Sequence, residues 1–291
     1  MSPRLLIIGA TGFIGSHWAL VASGQFEVFR GARKPPVGNR CVAIDITDAA
    51  SVRAAFDAVR PQHVTHLAAL SDIDRAERER ELAETINFQG AVNVARECER
   101  VGARLLFAST DAVFDGTKQI YHEDDPPTPV NWYGQTKARA ERAITELLPS
   151  AIIVRPSLVL GRGVGEPGNS YLEKVIGNLK AGNRIITPTD EFRNPIDVGT
   201  LCAFLGELAP RADATGVFHI GASDKMSRYD LARAIAERLG FDPALVVPQD
   251  APVSGRAPRG KDDFLVTRRL REFCRTPVPT CSEVIDRASR Q

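Results

Sequence analysis

The chain has 291 residues, 43% of them hydrophobic and 25% charged, an ordinary soluble composition. Lys and Arg total 37 against 36 Asp and Glu. That near-balance argues against a nucleic-acid or membrane surface as the main partner. No apolar run reaches the roughly 20 residues that span a bilayer, and the first residues lack a signal-peptide layout. The five cysteines, Cys41, Cys98, Cys202, Cys274 and Cys281, are odd in number and never at Cys-x-x-Cys spacing. A disulfide framework and a structural zinc site are therefore not expected, and the chain reads as reduced and cytoplasmic.

Short apolar runs alternate with helical patterns through the first half of the chain. Strands are expected at residues 5–8, 26–29, 42–44, 64–69, 105–108 and 152–154. Helices are expected at 48–59, where Pro61 stops the run, at 81–101, ended by Gly102, and from Lys137 toward Pro149. Continuous apolar strands separated by helices predict an α/β fold, a doubly wound parallel sheet of the Rossmann type. Beyond residue 156 the pattern changes. A glycine-rich loop covers 161–168, helices follow at 171–179 and 198–208, a strand at 217–220, and a helix at 228–239 with Ser227 as its N-cap. Residues 248–261 read as a loop. The expected organisation is a dinucleotide-binding domain over 1–160, with segments near 185–220 returning to it. A smaller C-terminal lid would comprise 161–184 and 221–291.

The first strand runs into Gly9-Ala-Thr-Gly12-Phe-Ile-Gly15. Glycines at this spacing permit a tight turn, close approach to a pyrophosphate, and close helix–strand packing. The following helix N-terminus offers free N–H groups to phosphate. Gly9, Thr11, Gly12, Phe13, Ile14 and Gly15 are thus candidate dinucleotide contacts. The end of the second strand sets the type of dinucleotide. A carboxylate there would bind a ribose 2′-hydroxyl, but this chain has Arg30, Arg33 and Lys34, which suit a 2′-phosphate and favour NADP(H) over NAD(H). Asp45, with Ile46 beside it, ends the third strand, where it could accept from an adenine amino group.

Tyr133 and Lys137 are spaced to share one helix face. A free tyrosine ionises near pH ~10 and donates its proton poorly at neutral pH; a neighbouring ammonium favours the phenolate. Ser109 and Thr110 follow the strand at 105–108, so a hydroxyl emerges at the sheet's carboxyl edge, placed to bind a carbonyl oxygen near Tyr133. A carbonyl reductase or dehydrogenase is the expected chemistry.

These residues together resemble the extended short-chain dehydrogenase/reductase superfamily. Ser109-Thr-Asp-Ala-Val-Phe-Asp-Gly116, Glu123-Asp-Asp-Pro-Pro-Thr-Pro129 and Asn131-Trp-Tyr-Gly-Gln-Thr-Lys137 resemble the dTDP-4-dehydrorhamnose reductase family more narrowly. The resemblance implies Thr110, Tyr133 and Lys137 as the catalytic set. It implies Leu67, Ala68 and Ala69 behind the nicotinamide, and Asn87 among the cofactor contacts. It further implies reduction of a 4-keto nucleotide-linked deoxysugar, and dimers are common among such relatives. Two departures stand out. An aromatic residue usually follows Ser-Thr-Asp where this chain has Ala112. The segment from Asp190 to Ile196 also differs from the family's.

Ser109, Asp111 and Arg193 are candidate substrate contacts, with Arg162, Arg256 and Arg259 as further cations for a diphosphate. His66 reads as a core residue, and His17 and Trp18 as packing for the first helix. The charged run 72–81 reads as a solvated helix start. No metal site is expected. A nucleotide-sugar epimerase and a non-catalytic NADP-binding regulatory subunit remain alternatives. A dehydratase is disfavoured, because Ala112 leaves Asp111 without a carboxylate neighbour.

Overall fold

A computed structural model describes residues 2–164, 170–249 and 255–290. The apolar run Arg4–Ile8 forms β1, buried from Leu5 onward. The glycine turn leads into α1, Phe13–Ala22. Then come β2 (Glu27–Ala32), β3 (Cys41–Ala43), α2 (Ala49–Val59) and β4 (His63–His66). Asp48 caps α2 by accepting from the Ala50 amide, and Arg60 ends it at φ 50° ahead of Pro61. The charged run forms its own short helix, α3 (Ile73–Arg78), capped by Asp72.

The helix expected over 81–101 is not continuous. It divides into α4 (Arg80–Ala83), a π-helical stretch (Glu84–Gln89) and α5 (Gly90–Val101). A Cβ at Gly90 would meet Ile46 at 2.8 Å, so only glycine lets this segment lie so close to the residues after β3. Next are β5 (Arg104–Ala108), a 3₁₀ turn (Asp111–Val113), β6 (Gln119–Tyr121), α6 (Trp132–Leu147), β7 (Ile152–Pro156) and β8 (Val159–Leu160). The later chain gives α7 (Tyr171–Lys180), β9 (Ile185–Thr187), β10 (Phe192–Arg193), β11 (Ile196–Asp197), α8 (Val198–Leu208) and β12 (Gly216–Ile220). It closes with β13 (Met226–Ser227), α9 (Arg228–Arg238), β14 (Val246–Pro248), β15 (Asp263–Leu265), α10 (Arg268–Phe273) and α11 (Cys281–Ser289). Ser227 caps α9 as expected.

Seven strands build one parallel sheet in the order β12-β7-β5-β4-β1-β2-β3. From β1 the chain winds first through β2 and β3, then returns to β4 on β1's other side. The order therefore reverses between β1 and β4, and ligands of such sheets bind outside that switch point, at the strands' carboxyl ends. Helices cover both faces. One apolar cluster joins α1, α8, β12 and the later helices α7, α9 and α11 into a single core, while α2, α5 and α6 close the other face. The C-terminal third therefore shares the core on the α1 and α8 face.

Two expected strand ends move. The second strand runs to Ala32 rather than stopping at 29, because Arg30, Gly31 and Ala32 pair with β3. The fourth stops at His66, and Leu67, Ala68 and Ala69 form a turn beyond the edge. Among the described residues, eight short strands outside the main sheet, two or three residues each, form two-stranded pairs. Elements so short carry no periodicity to read. Of the glycine-rich loop expected at 161–168, residues 165–168 lie outside the described residues, as do 250–254 of the later loop.

Candidate active site

The turns at the switch point enclose a cavity of about 810 Å³, a size suited to a large organic ligand. The glycine turn forms one wall. Gly9 adopts φ 89°, and a Cβ there would sit 2.7 Å from the Ala68 amide nitrogen. A Cβ at Gly15 would sit 2.2 Å from the Gly9 carbonyl oxygen. Glycine at both positions lets the turn fold tightly on itself and against the turn after β4. Gly12 begins α1 with no side-chain cap, which leaves the first N–H groups of the helix open to an anion. Thr11, Gly12, Phe13, Ile14 and Gly15 all line the cavity. On these grounds the chain fits a dinucleotide.

The expected cation cluster is divided by the longer β2. Arg33, just past the strand end, lines the cavity; Arg30 and Lys34 do not. Arg30 lies within the strand, where its amide donates to the Arg40 carbonyl. Asp45 and Ile46 line the cavity, and Asp45 Oδ1 accepts from the Thr47 amide at 2.9 Å. Leu67, Ala68 and Ala69 form the floor. Asn87 is absent from the wall. Buried at the π-helical stretch, it accepts from the Leu70 amide at 2.8 Å and donates to Thr136 Oγ1 at 3.2 Å. It ties the turn after β4 to α6 instead of facing a ligand.

Thr110, Tyr133 and Lys137 line the same cavity, all nine-tenths or more buried. Thr110 caps the 3₁₀ turn after β5 by accepting from the Ala112 amide at 3.1 Å. Asn131 caps α6 by accepting from the Gly134 amide at 2.8 Å. A Cβ at Gly134 would lie 2.1 Å from the Ala112 carbonyl oxygen. Glycine at this position is what lets α6 press against the turn that carries Thr110. A buried pair, Arg155 on β7 with Glu141 on α6 at 2.6 and 3.0 Å, fixes the helix further along.

The electrostatics differ from the expectation for Tyr133. Burial pushes its phenol up to about 12; a hydrogen bond with Thr110 opposes the rise and Asp111 adds to it. Burial lowers Lys137 to about 7, against the pull of Glu141. Lys137 Nζ donates to the Ala108 carbonyl at 2.6 Å and lies 4.0 Å from the centre of the Phe107 ring. The phenol is therefore protonated at neutral pH, the state a proton donor needs. His66, fully buried beside this group, is held neutral, lowered to about 3 by burial and by Lys137. Both of its ring nitrogens lack partners.

Ser109 and Asp111 line the same cavity. Arg193, expected to clasp a diphosphate, is not a free cation: it is buried, and it binds Asp111, Asp263 and main-chain carbonyls. Arg256 pairs with Glu191, and Arg259 holds Asp74 at 2.9 Å. The Arg162 carbonyl meets His17 Nε2 at 2.7 Å, and Trp18 Nε1 donates to Thr65 at 3.1 Å beneath α1. The sequence reading missed Asn131, Gly134 and Asp263. An Asn just before a helical run is a readable cap. The other two act through close contacts with segments distant in the chain, which leave no local signal.

Among the described residues no group of acids, histidines and cysteines could hold a metal, and no helix is long and apolar enough to cross a membrane. A glycine turn at the switch point with a buried Thr, Tyr and Lys beyond it defines an extended short-chain dehydrogenase/reductase. The profile of the RmlD substrate binding domain family matches residues 3–290, and the chain belongs to that family. A dTDP-4-keto-6-deoxy-D-glucose reductase of Streptomyces niveus is 34% identical over 282 residues, 96% of this chain and 93% of that protein. The methionine adenosyltransferase 2 subunit beta of Mus musculus is 30% identical over 299 residues, 96% of this chain and 86% of its own. The structure of dTDP-4-dehydrorhamnose reductase from Bacillus anthracis, in complex with NADP, superposes with a TM-score of 0.89 at 28% identity, covering 99% of both chains.

Proposed function

We propose that this chain is a nicotinamide-dependent reductase of a 4-keto nucleotide-linked deoxysugar, with NADP(H) preferred. The observation that carries the reading is one cavity lined both by the glycine turn and by buried Thr110, Tyr133 and Lys137. The Streptomyces and Bacillus relatives, by their names, support the substrate class, and the NADP complex of the latter supports the cofactor.

The glycine turn and the α1 N-terminus would hold the pyrophosphate, and Arg33 the 2′-phosphate. Asp45 and Ile46 would flank the adenine. Leu67, Ala68 and Ala69 would back the nicotinamide, and Lys137 would reach its ribose. A bound reduced dinucleotide supplies a hydride to the keto carbon. Thr110 receives the carbonyl oxygen, and Tyr133 gives the oxygen its proton. The phenolate left behind is offset by the Lys137 cation one turn along α6. Ser109 and Asp111 would face the sugar, and the described residues of 161–184 and 221–291 would receive the nucleotide. The assembly would be a homodimer.

The murine relative favours a second reading, a non-catalytic partner subunit that binds the dinucleotide without turnover. Supplying the purified chain with NADPH or NADH and a panel of 4-keto nucleotide sugars separates the readings. Consumption of NADPH ahead of NADH, slowed about 10²–10⁴-fold in Tyr133→Phe, is the expected result. Tight NADPH binding without consumption by any sugar would sink the reductase reading, and dependence on NADH alone would sink the cofactor preference.

A further inference from the structure

Asp111 is gripped on both oxygens. Oδ1 accepts from the Thr110 hydroxyl at 3.1 Å. Oδ2 accepts from Ser157 Oγ at 3.3 Å and lies 3.5 Å from Arg193 Nε. Arg193 is immobilised in turn. Its Nη1 donates to the Phe192 carbonyl at 2.6 Å, and its Nη2 donates to the Gly260 carbonyl at 2.9 Å and lies 3.0 Å from Asp263 Oδ2. The two side chains are 10% and 1% exposed. A Cβ at Gly260 would fall 2.3 Å from Asp263 Oδ1, so the loop ahead of β15 closes tightly on this carboxyl. One guanidinium therefore joins three segments: the catalytic turn after β5, β10, and the loop that leads into β15.

Burying such a cluster costs desolvation energy, and apolar packing would serve stability as well or better. Its place explains it better than its energy does, because the chain it anchors ends on Thr110. Two carboxyls share one cation. Burial pushes Asp263 up to about 7; Arg193 opposes this, and Asp111, Asp262 and Asp115 add to it. Asp262 is itself paired with Lys225. The Arg193 guanidinium thus bridges both carboxyls, 3.0 Å from Asp263 and 3.5 Å from Asp111.

We propose that Arg193, backed by Asp263, is a positioning residue for the reduction, pinning Asp111 and through it the Thr110 hydroxyl beside Tyr133. The Ala112 amide donates to Thr110 Oγ1 and Oγ1 gives its proton to Asp111 Oδ1, so the hydroxyl is set in place before substrate arrives, and its proton leaves Asp111 for the incoming carbonyl. The proposal rests on the reductase reading and goes beyond it by assigning a role to a residue that need not touch substrate.

The test is a double-mutant cycle on the full chain, with kcat and KM for a 4-keto nucleotide sugar, NADPH binding and melting temperature measured for each protein. Arg193→Met is expected to lower kcat about ten- to a hundredfold, the cost of a misplaced catalytic group, with KM and NADPH binding unchanged. Arg193→Lys should restore part of the loss. In a Thr110→Ala background, Arg193→Met should cost nothing more. Independent, multiplying losses would overturn the proposal, as would a rise in KM alone, which would make Arg193 a substrate contact. Should Arg193→Met fail to fold, Arg193→Gln carries the same test: a kcat loss absent from the Thr110→Ala background supports the proposal, and an unchanged kcat overturns it. A wild-type chain that reduces no keto sugar defeats the reductase reading and this proposal with it. An active wild type with multiplying losses defeats this proposal alone.

Discussion

At the scale of single residues, the site depends on groups whose protonation is set by burial. Tyr133 is pushed up to about 12 and Lys137 down to about 7. Tyr133→Phe removes the hydroxyl that the reductase reading makes the proton donor while leaving the cavity's shape. It should lower kcat by about 10²–10⁴-fold with NADPH affinity intact, which steady-state kinetics and a fluorescence titration can check together. Arg33 stands at the cavity wall without Arg30 or Lys34 beside it. Arg33→Ala should therefore weaken NADPH markedly and leave NADH little changed, and an equal loss for both would remove it from the 2′-phosphate. The glycines and Arg33 line the cavity as glycine spacing and a strand end implied, and Tyr133 and Lys137 line it as their spacing on one helix implied; Thr110 was set apart from Ser109 by the family resemblance alone. Arg193 was misread because its partners, Asp111 and Asp263, come from remote segments. An arginine's sequence neighbourhood does not say whether its charge is already satisfied.

At the scale of elements, the decisive contact is α6 against the 3₁₀ turn. Gly134 permits it, and Gly134→Ala would force a Cβ to 2.1 Å from the Ala112 carbonyl oxygen. Helix propensity favours alanine by up to ~1 kcal/mol, so an isolated helix would gain from this change. The folded protein should instead lose kcat, because α6 must retreat and carry Tyr133 from Thr110. Retained activity with raised stability would show that the helix has slack. The main strands and long helices were predictable from their apolar periodicity. The breaks at Glu84–Gln89 and at Arg78 were not, since the apolar stripe runs on through the π-helical stretch that points Asn87 inward.

At the scale of the whole molecule, the sheet's reversal between β1 and β4 places the cavity, and one core runs from α1 and α8 into the later helices. This arrangement sets how acid acts on the fold. His66 and His219 are lowered to about 3 by burial, with Lys137 and Arg155 respectively adding to it. The unfolded chain takes up these protons first as pH falls below ~6.5, so their contribution is present above that value and lost progressively toward 3. Asp263, raised to about 7, acts with the opposite sign between its ordinary value and 7. His66→Leu should flatten the fall in urea midpoint between neutral and acid pH, with His219 sustaining the remainder. An unchanged slope would show that His66 gains a proton without cost. The doubly wound class was readable in the alternation of strands and helices. The way the last third packs was not, because its two- and three-residue strands find their partners only in three dimensions.

On the reductase reading, hydride reaches a sugar ketone in this cavity while Tyr133 delivers the proton. The most direct measurement supplies NADPH deuterated at the transferable position, with a 4-keto nucleotide sugar, and reads the product by mass spectrometry. One deuterium is expected on the carbon that bore the ketone, formed by wild type and about 10²–10⁴-fold more slowly by Tyr133→Phe. A protein that binds NADPH and yields no deuterated alcohol would contradict it and point to the partner-subunit reading.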